Sequence, residues 1–67
     1  MSVATVTEIS ATSTQGFEDA IRLGIERATK TLRNVKSAWV KEMRASIENN
    51  KVSEYQVNMQ ITFVLDE

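Results

Sequence analysis

The segment SEYQVNMQITFVLD, residues 53–66, decides the fold, because apolar and polar residues alternate along almost all of it. Alternation of this kind is typical of a β-strand with one face against a core and the other in polar surroundings. We predict that the core face carries Tyr55, Val57, Met59, Ile61, Phe63 and Leu65. The other face carries Gln56, Asn58, Gln60 and Thr62. Four uncharged polar positions in succession favour a wet interface or a polar ligand surface, with an ordinary solvated face as the alternative.

One strand and one helix are predicted at the start of the chain. The segment VATVTEIS, residues 3–10, has the β-branched content of a strand. From Phe17 the apolar residues recur at steps of three and four, which predicts an amphipathic helix that ends near Asn34. Gly24 lies on the apolar stripe and indicates a close approach of the helix to the sheet. The candidates for the helix cap are the hydroxyl residues Thr12, Ser13 and Thr14.

A further strand is predicted over residues 35–48, joined to the last strand by a turn at Asn49 and Asn50, which tolerate left-handed conformations. The first half of this strand is apolar on both faces. Burial on both sides, by the helix and by another subunit, explains the pattern. A β-bulge that switches faces explains it equally well. Its Trp39, the single tryptophan of the chain, is either a structural or interface residue or a contact for a ligand.

Length and composition limit the possible functions. The chain has 67 residues, which predicts a single domain over residues 1–67, and it contains neither cysteine nor histidine. Disulfides and thiolate metal sites are thereby excluded, and the commonest general base is missing. A core of this small size usually needs a further stabilising element. Because disulfides and thiolate metal sites are excluded, we expect self-assembly. The net charge of -1 argues against nucleic acid as a partner. No apolar run predicts a membrane span or a signal peptide, so we expect a cytoplasmic protein.

The chain resembles the dodecin family along almost its whole length. The resemblance is carried by ATSTQGFEDA before and into the helix, TLRNV at the helix end, and YQVNMQITFVL in the last strand. It implies an α+β subunit of βαββ order, whose three-stranded antiparallel sheet wraps around one helix. It also implies assembly of twelve subunits into a hollow homododecamer. Flavin-binding members of the family store riboflavin or FMN between subunits and are not enzymes.

The resemblance also implies site residues. Gln56, in the YQV of the last strand, is similar to the family glutamine that hydrogen-bonds the edge of the flavin ring, and an amide offers a donor and an acceptor side by side. Counted back from YQV without a gap, the family's stacking tryptophan falls on Ser37, whereas Trp39 stands two residues later. We therefore expect Ser37, Trp39 and Gln56 to contact the flavin, with weakened affinity. A bulge near residues 36–38 would bring Trp39 into the pocket.

Two alternatives to flavin storage stay open. One is a dodecin-like shell with another ligand, either coenzyme A or ions bound at the acidic positions Glu8, Asp19 and Glu67. Such a shell is alternatively a structural assembly without tight flavin binding. Ordinary surface charge is the simpler explanation for these acids. Lys41 and Arg44 are candidates for phosphate contacts, again with a plain surface role as the alternative. The last alternative is an enzyme, which we do not expect because no nucleophile elbow, phosphate loop or paired-carboxylate motif occurs.

Overall fold

The computed structural model describes residues 3–65 and has the predicted βαββ order. Its elements are β1 (Ala4–Ser13), α1 (Phe17–Thr31), β2 (Val35–Glu48) and β3 (Lys51–Val64). The strands form one antiparallel sheet in the order β1-β3-β2. The predicted α+β class and three-stranded sheet are confirmed. The last strand is therefore the central one, and it fixes the positions of both neighbours.

The alternation in β3 predicts its two faces correctly. Val57, Met59 and Ile61 are fully buried against α1 and form the centre of the core with Ala20 and Ala28 of the helix. Tyr55 and Phe63 flank this centre and are half-buried. The aromatic ring of Tyr55 packs edge-on against that of Phe17, with 5.0 Å between ring centroids. Leu65, predicted on the core face, is instead exposed because it lies just beyond the end of β3.

The start of α1 differs from the predicted cap. Gly16 occupies the N-cap position with a φ of 157°, which residues with a Cβ rarely adopt, and no side chain among residues 3–65 caps the helix. Ser13 still belongs to β1, which extends three residues beyond its predicted end because Ala11–Ser13 pair with β3. The helix ends at Thr31, slightly before Asn34. Within residues 3–65 there is no helix of the length and apolar character needed to cross a membrane.

Two β-bulges in β2 explain why both faces of this strand look apolar in the sequence. The register against β3 shifts between Val35 and Ser37, and again between Val40 and Glu42. Each shift adds one residue to β2, and an added residue reverses which face the following side chains occupy. Val35, Ala38 and Val40 consequently all pack against the core although their numbers differ in parity. The face-switching explanation of the sequence pattern is confirmed.

The β2–β3 hairpin extends well beyond the helix. The molecule measures 52 × 19 × 13 Å along its principal axes, and residues 41–52 are all exposed. We call residues 41–54 the hairpin arm. On the side of the sheet that carries the core, the arm presents Met43, Ile47 and Val52, which are 59%, 63% and 44% exposed. An apolar surface of this kind on so small a subunit is typical of an interaction site.

Candidate functional site

The outer face of the sheet, which is the surface turned away from α1, brings the predicted site residues onto one surface. It is built of rows, each with one side chain from β1, one from β3 and one from β2, as set by the strand register. Four successive rows carry the relevant side chains: Thr12–Gln56–Arg44, Ser10–Asn58–Glu42, Glu8–Gln60–Trp39 and Val6–Thr62–Ser37. The prediction that this face is polar and mostly uncharged along β3 is confirmed.

Trp39 is placed on the outer face by the bulge at Lys41. It lies opposite Gln60, and 67% of its surface is exposed. Without the register shift in the segment Val40–Glu42, the same strand would set Trp39 opposite Ile61, on the side of the helix. The bulge therefore turns an indole that would otherwise belong to the core into an exposed aromatic surface. An exposed tryptophan with polar neighbours suits the stacking of a planar ring.

The amide of Gln56 is held by its neighbours on the outer face. Its Nε2 donates to the Oγ of Ser10 at 2.8 Å and to the Oδ1 of Asn58 at 3.4 Å. The Nδ2 of Asn58 in turn donates to the Oε1 of Glu42 at 2.9 Å. Both amide hydrogens of Gln56 therefore have acceptors within the subunit. A ligand that needs a donor from Gln56 has to displace one of these bonds.

Gln60 is in a different state from Gln56, although both lie on the same face of the same strand. Gln60 is half-buried between Glu8 of β1 and Trp39 of β2. Within residues 3–65, no hydrogen bond or ion pair involves its side chain. An amide that offers both a donor and an acceptor thus stands directly beside the exposed indole.

The three predicted site residues, Ser37, Trp39 and Gln56, do not all lie close together within one subunit. Gln56 and Gln60, the latter opposite Trp39, are four residues apart on β3, about 13 Å at the usual strand rise. Ser37 lies opposite Thr62, so it is about 20 Å from Gln56 along the sheet. Ser37 and Trp39 occupy neighbouring rows. One subunit therefore brings Ser37 and Trp39 together but keeps Gln56 apart from them. The bulge at Lys36 comes before Ser37 and Trp39 in the chain, so it leaves the spacing between these two residues unchanged.

The charged candidates on the outer face are partly engaged with each other. The Nζ of Lys41 lies 3.8 Å from the Oε1 of Glu8, across β3, and both side chains are exposed. Arg44 lies opposite Gln56, in the same row as that amide. Exposed ion pairs contribute little to stability, so Lys41 remains available to a ligand phosphate. Arg44 therefore stands in the row of Gln56, whereas Lys41 reaches towards the row of Gln60 and Trp39.

The acidic residues weighed as ion ligands do not come together. Glu8 lies on the outer face, whereas Asp19 belongs to the first turn of α1, on the opposite side of the sheet. Among residues 3–65 no group of three or more acidic side chains is arranged to hold a metal ion. Glu67 lies outside the described residues. The structure therefore gives no support to an ion site built from Glu8 and Asp19.

Asp19 has its own partners at the start of the helix. The Oγ of the buried Ser13 donates to its Oδ2 at 2.6 Å, and Arg22 donates to its Oδ1. These hydrogen bonds, with that from Ser13 the stronger influence, hold the pKa of the Asp19 carboxyl below its ordinary value of 3.8. Arg22 also pairs with Glu26 at 3.0 Å. The cluster ties the end of β1 to the first turns of α1.

A groove of about 570 Å³ runs between the free edge of β1 and the helix. Its walls include Thr7 and Ile9 from the strand and Leu23 and Arg27 from the helix. None of the residues predicted as flavin contacts lines it. The candidate site is therefore the open outer face and not a pocket within one subunit.

Gln60 is the residue that the sequence did not single out as a site residue. Its type and its face were predicted, but its position beside Trp39 depends on the register between β2 and β3. That register contains an added residue at Lys41, which local sequence patterns do not mark. The only available signal was the unusual run of uncharged polar residues, to which Gln60 belongs.

The chain is similar to known dodecins in sequence and in structure. A family model described as Dodecin matches residues 3–66. The dodecin of Thermus thermophilus is 43% identical over 60 residues, which cover 90% of this chain and 87% of that protein.

Two solved structures have the same fold. A Thermus thermophilus dodecin with one tryptophan replaced by phenylalanine has a TM-score of 0.94, at 40% identity and full coverage of both chains. The dodecin from Streptomyces davaonensis has a TM-score of 0.93 at 39% identity, covering 98% of this chain and 97% of that one. The order of elements, the three-stranded sheet and the sequence thus agree, and the chain belongs to the dodecin family.

Proposed function

We propose that this chain binds a flavin, riboflavin or FMN, at the seams between copies of a cytoplasmic homododecamer, and stores it without chemical turnover. The observation that carries the proposal is the exposed indole of Trp39 on a face of uncharged amides. A flavin ring is planar and apolar with a polar edge, and such a surface matches both properties. Membership in the dodecin family supports the same ligand class.

Self-assembly is part of the proposal because the surface is open. In a single subunit the ring would contact Trp39 on one side only and would face water on the other. A second copy across the seam covers the ring and removes more apolar surface from water, at about 25 cal/mol per Å². The apolar side of the hairpin arm needs a cover as well, and another copy of the chain supplies it. The number twelve follows from the family alone.

The roles of the three site residues follow from their spacing. Trp39 stacks on the ring, and Ser37, in the neighbouring row, lines the pocket wall. Gln56 is about 13 Å from the row of Trp39, so it meets the same ring only if it comes from another copy. Each seam then combines residues from at least two subunits. Arg44 stands in the row of Gln56 and Lys41 near the row of Trp39, and either basic side chain is a suitable partner for the phosphate of FMN.

The proposal includes a reduced affinity relative to members with tryptophan at the position of Ser37. An aromatic pair contributes about 0.5–1.5 kcal/mol beyond the area that it buries. Serine lacks this contact and most of the buried area, and every 1.4 kcal/mol changes the affinity about tenfold. Stacking on Trp39 replaces part of this loss.

Fluorescence of the free flavin tests the proposal directly. Riboflavin or FMN is held at fixed concentration while the protein is added in increasing excess. We expect quenching of the flavin emission, because the ring stacks on indole. Trp39→Ala should abolish the quenching, while Ser46→Ala, an exposed position in the arm of the same strand, should not. Full emission at large protein excess, with either flavin, would contradict the proposal, and coenzyme A binding by the same sample would favour the other ligand class.

A further inference from the structure

We infer that Gln60 recognises the edge of the ring that stacks on Trp39, through two hydrogen bonds between its amide and an imide of the ligand. The inference rests on the proposed function, because it identifies a specificity-determining residue of the same site. The ligand class it selects is a planar heterocycle with an N–H between two carbonyl groups. The pyrimidine ring of a flavin has this arrangement.

Position is the first argument. Trp39 and Gln60 are direct cross-strand neighbours on the outer face. The side chains of such a pair have Cβ atoms about 4.5–5.5 Å apart. A ring that stacks on the indole therefore brings its edge within reach of the Gln60 amide from the same subunit. No movement of the sheet and no second copy is needed for this contact.

Availability is the second argument. The amide of Gln56 already donates to Ser10 and Asn58, so its donors are used within the subunit. The amide of Gln60 has no hydrogen-bond partner among residues 3–65, although the residue is half-buried. A ligand bound at Gln60 gains hydrogen bonds without breaking any bond of the subunit. At Gln56 it has to exchange one bond for another, which contributes less net free energy.

Charge is the third argument. Gln60 has Glu8 as its neighbour on β1, and Lys41 reaches across β3 to that carboxylate. The ion pair balances the charge beside the amide, so the recognition at this row is by neutral hydrogen bonds. An amide presents an acceptor to the ligand N–H and a donor to the adjacent carbonyl at the same time. Methylation of that ring nitrogen removes the hydrogen and places a methyl group against the amide.

The test compares riboflavin with its N3-methyl derivative. We expect the wild-type protein to bind riboflavin about tenfold more tightly than the methylated ring, the value of one to two hydrogen bonds. Gln60→Leu should bind both with similar affinity, because the discriminating group is gone. Glu54→Leu, an exposed position on the same face of β3 but in the hairpin arm, is the matched control and should keep the discrimination. If the leucine variant fails to fold, Gln60→Met, which keeps the length of the side chain but lacks the amide, gives the same comparison.

The outcomes separate the two proposals. Retained discrimination in folded Gln60 variants, or its loss in Glu54→Leu, overturns the role of Gln60 and leaves flavin binding intact. Failure of the wild-type protein to bind either flavin overturns both proposals. Loss of discrimination in the Gln60 variants alone supports the inference, since a merely structural residue would weaken both ligands equally.

Discussion

Gly24 of the helix lies so close to Met59 of the central strand that an added Cβ would be 2.5 Å from the methionine Cε. The same Cβ would be 3.1 Å from the Cβ of Ala11, which cannot move away without its backbone. The close approach predicted from the apolar stripe is therefore confirmed, and the absence of a side chain at residue 24 sets the distance between helix and sheet.

We expect Gly24→Ala to lower the free energy of unfolding by about 1 kcal/mol. Overpacking in a core typically costs about 1–3 kcal/mol, and the better helix propensity of alanine returns about 1 kcal/mol. Chemical denaturation at one fixed protein concentration measures the change. Lys30→Ala, on the exposed side of the same helix, is the control and should have little effect. If Gly24→Ala were as stable as the wild type or more stable, Met59 and Ala11 would have to shift at little energetic cost.

Substitution of the apolar side of the hairpin arm should dissociate the proposed assembly. Met43→Gln combined with Ile47→Thr replaces two exposed apolar side chains by polar ones of similar size. Because neither side chain belongs to the core, the isolated subunit should keep its fold while its contacts with other copies weaken. Native mass measurement should show smaller species than the wild type. Glu54→Gln, in the same arm, should assemble normally, and an unchanged mass of the double variant would argue against a role of the arm in assembly.

Installing an indole at residue 37 should strengthen flavin binding. Ser37 is exposed on the outer face in the row next to Trp39, so Ser37→Trp adds a second aromatic surface without entering the core. An additional aromatic contact of about 0.5–1.5 kcal/mol plus the newly buried area predicts at least a tenfold lower Kd for riboflavin. Quenching titrations measure it. Ser46→Trp places the same side chain farther along the strand and should leave the Kd unchanged; a similar gain there would indicate non-specific stacking.

Asp19 should make the fold sensitive to acid. Its pKa is lowered in the folded state by the hydrogen bond from Ser13 and by Arg22, so the ionised form stabilises the fold above the ordinary pKa of 3.8. This contribution is lost as the pH falls through the lower, folded-state value. Between about pH 6 and pH 3, the wild type should thus lose more stability than Asp19→Asn. Urea denaturation at both pH values tests this, with Glu54→Gln as the control for removing one carboxylate.

The sequence was sufficient to predict the elements of the fold but not the assignment of faces in β2. From Tyr55 onward, an unbroken period of two in β3 identifies Val57, Met59 and Ile61 as core residues, because every second side chain of a strand points the same way. In β2 the added residues at Lys36 and Lys41 break that period. Their location depends on how the strand pairs with β3, which is a long-range property of the fold.

The candidate site was predictable only in part for the same reason. Gln56 and Trp39 were identified from their types and from the family resemblance, but their separation follows from the register alone. The importance of Gln60 is apparent only once it is known that Ser10 and Asn58 occupy the amide of Gln56. Side-chain partners across strands are distant in sequence, and no local pattern reports them.

The central position of β3 also determines the order in which the chain acquires its structure. The shortest separation between paired residues of β1 and β3 is that of Ser13 and Tyr55, so the β1 ladder closes a loop of about forty residues. The β2 hairpin, in contrast, closes through the turn at Asn49 and Asn50. Local pairing forms faster than pairing of high contact order, and the hairpin is expected to nucleate folding. During synthesis, a nascent chain that ends before Lys51 lacks β3. It therefore has no strand to pair with β1 and no central strand to pack against α1. Until then the amphipathic helix exposes its apolar stripe, and this is the interval in which the chain depends most on protection from aggregation.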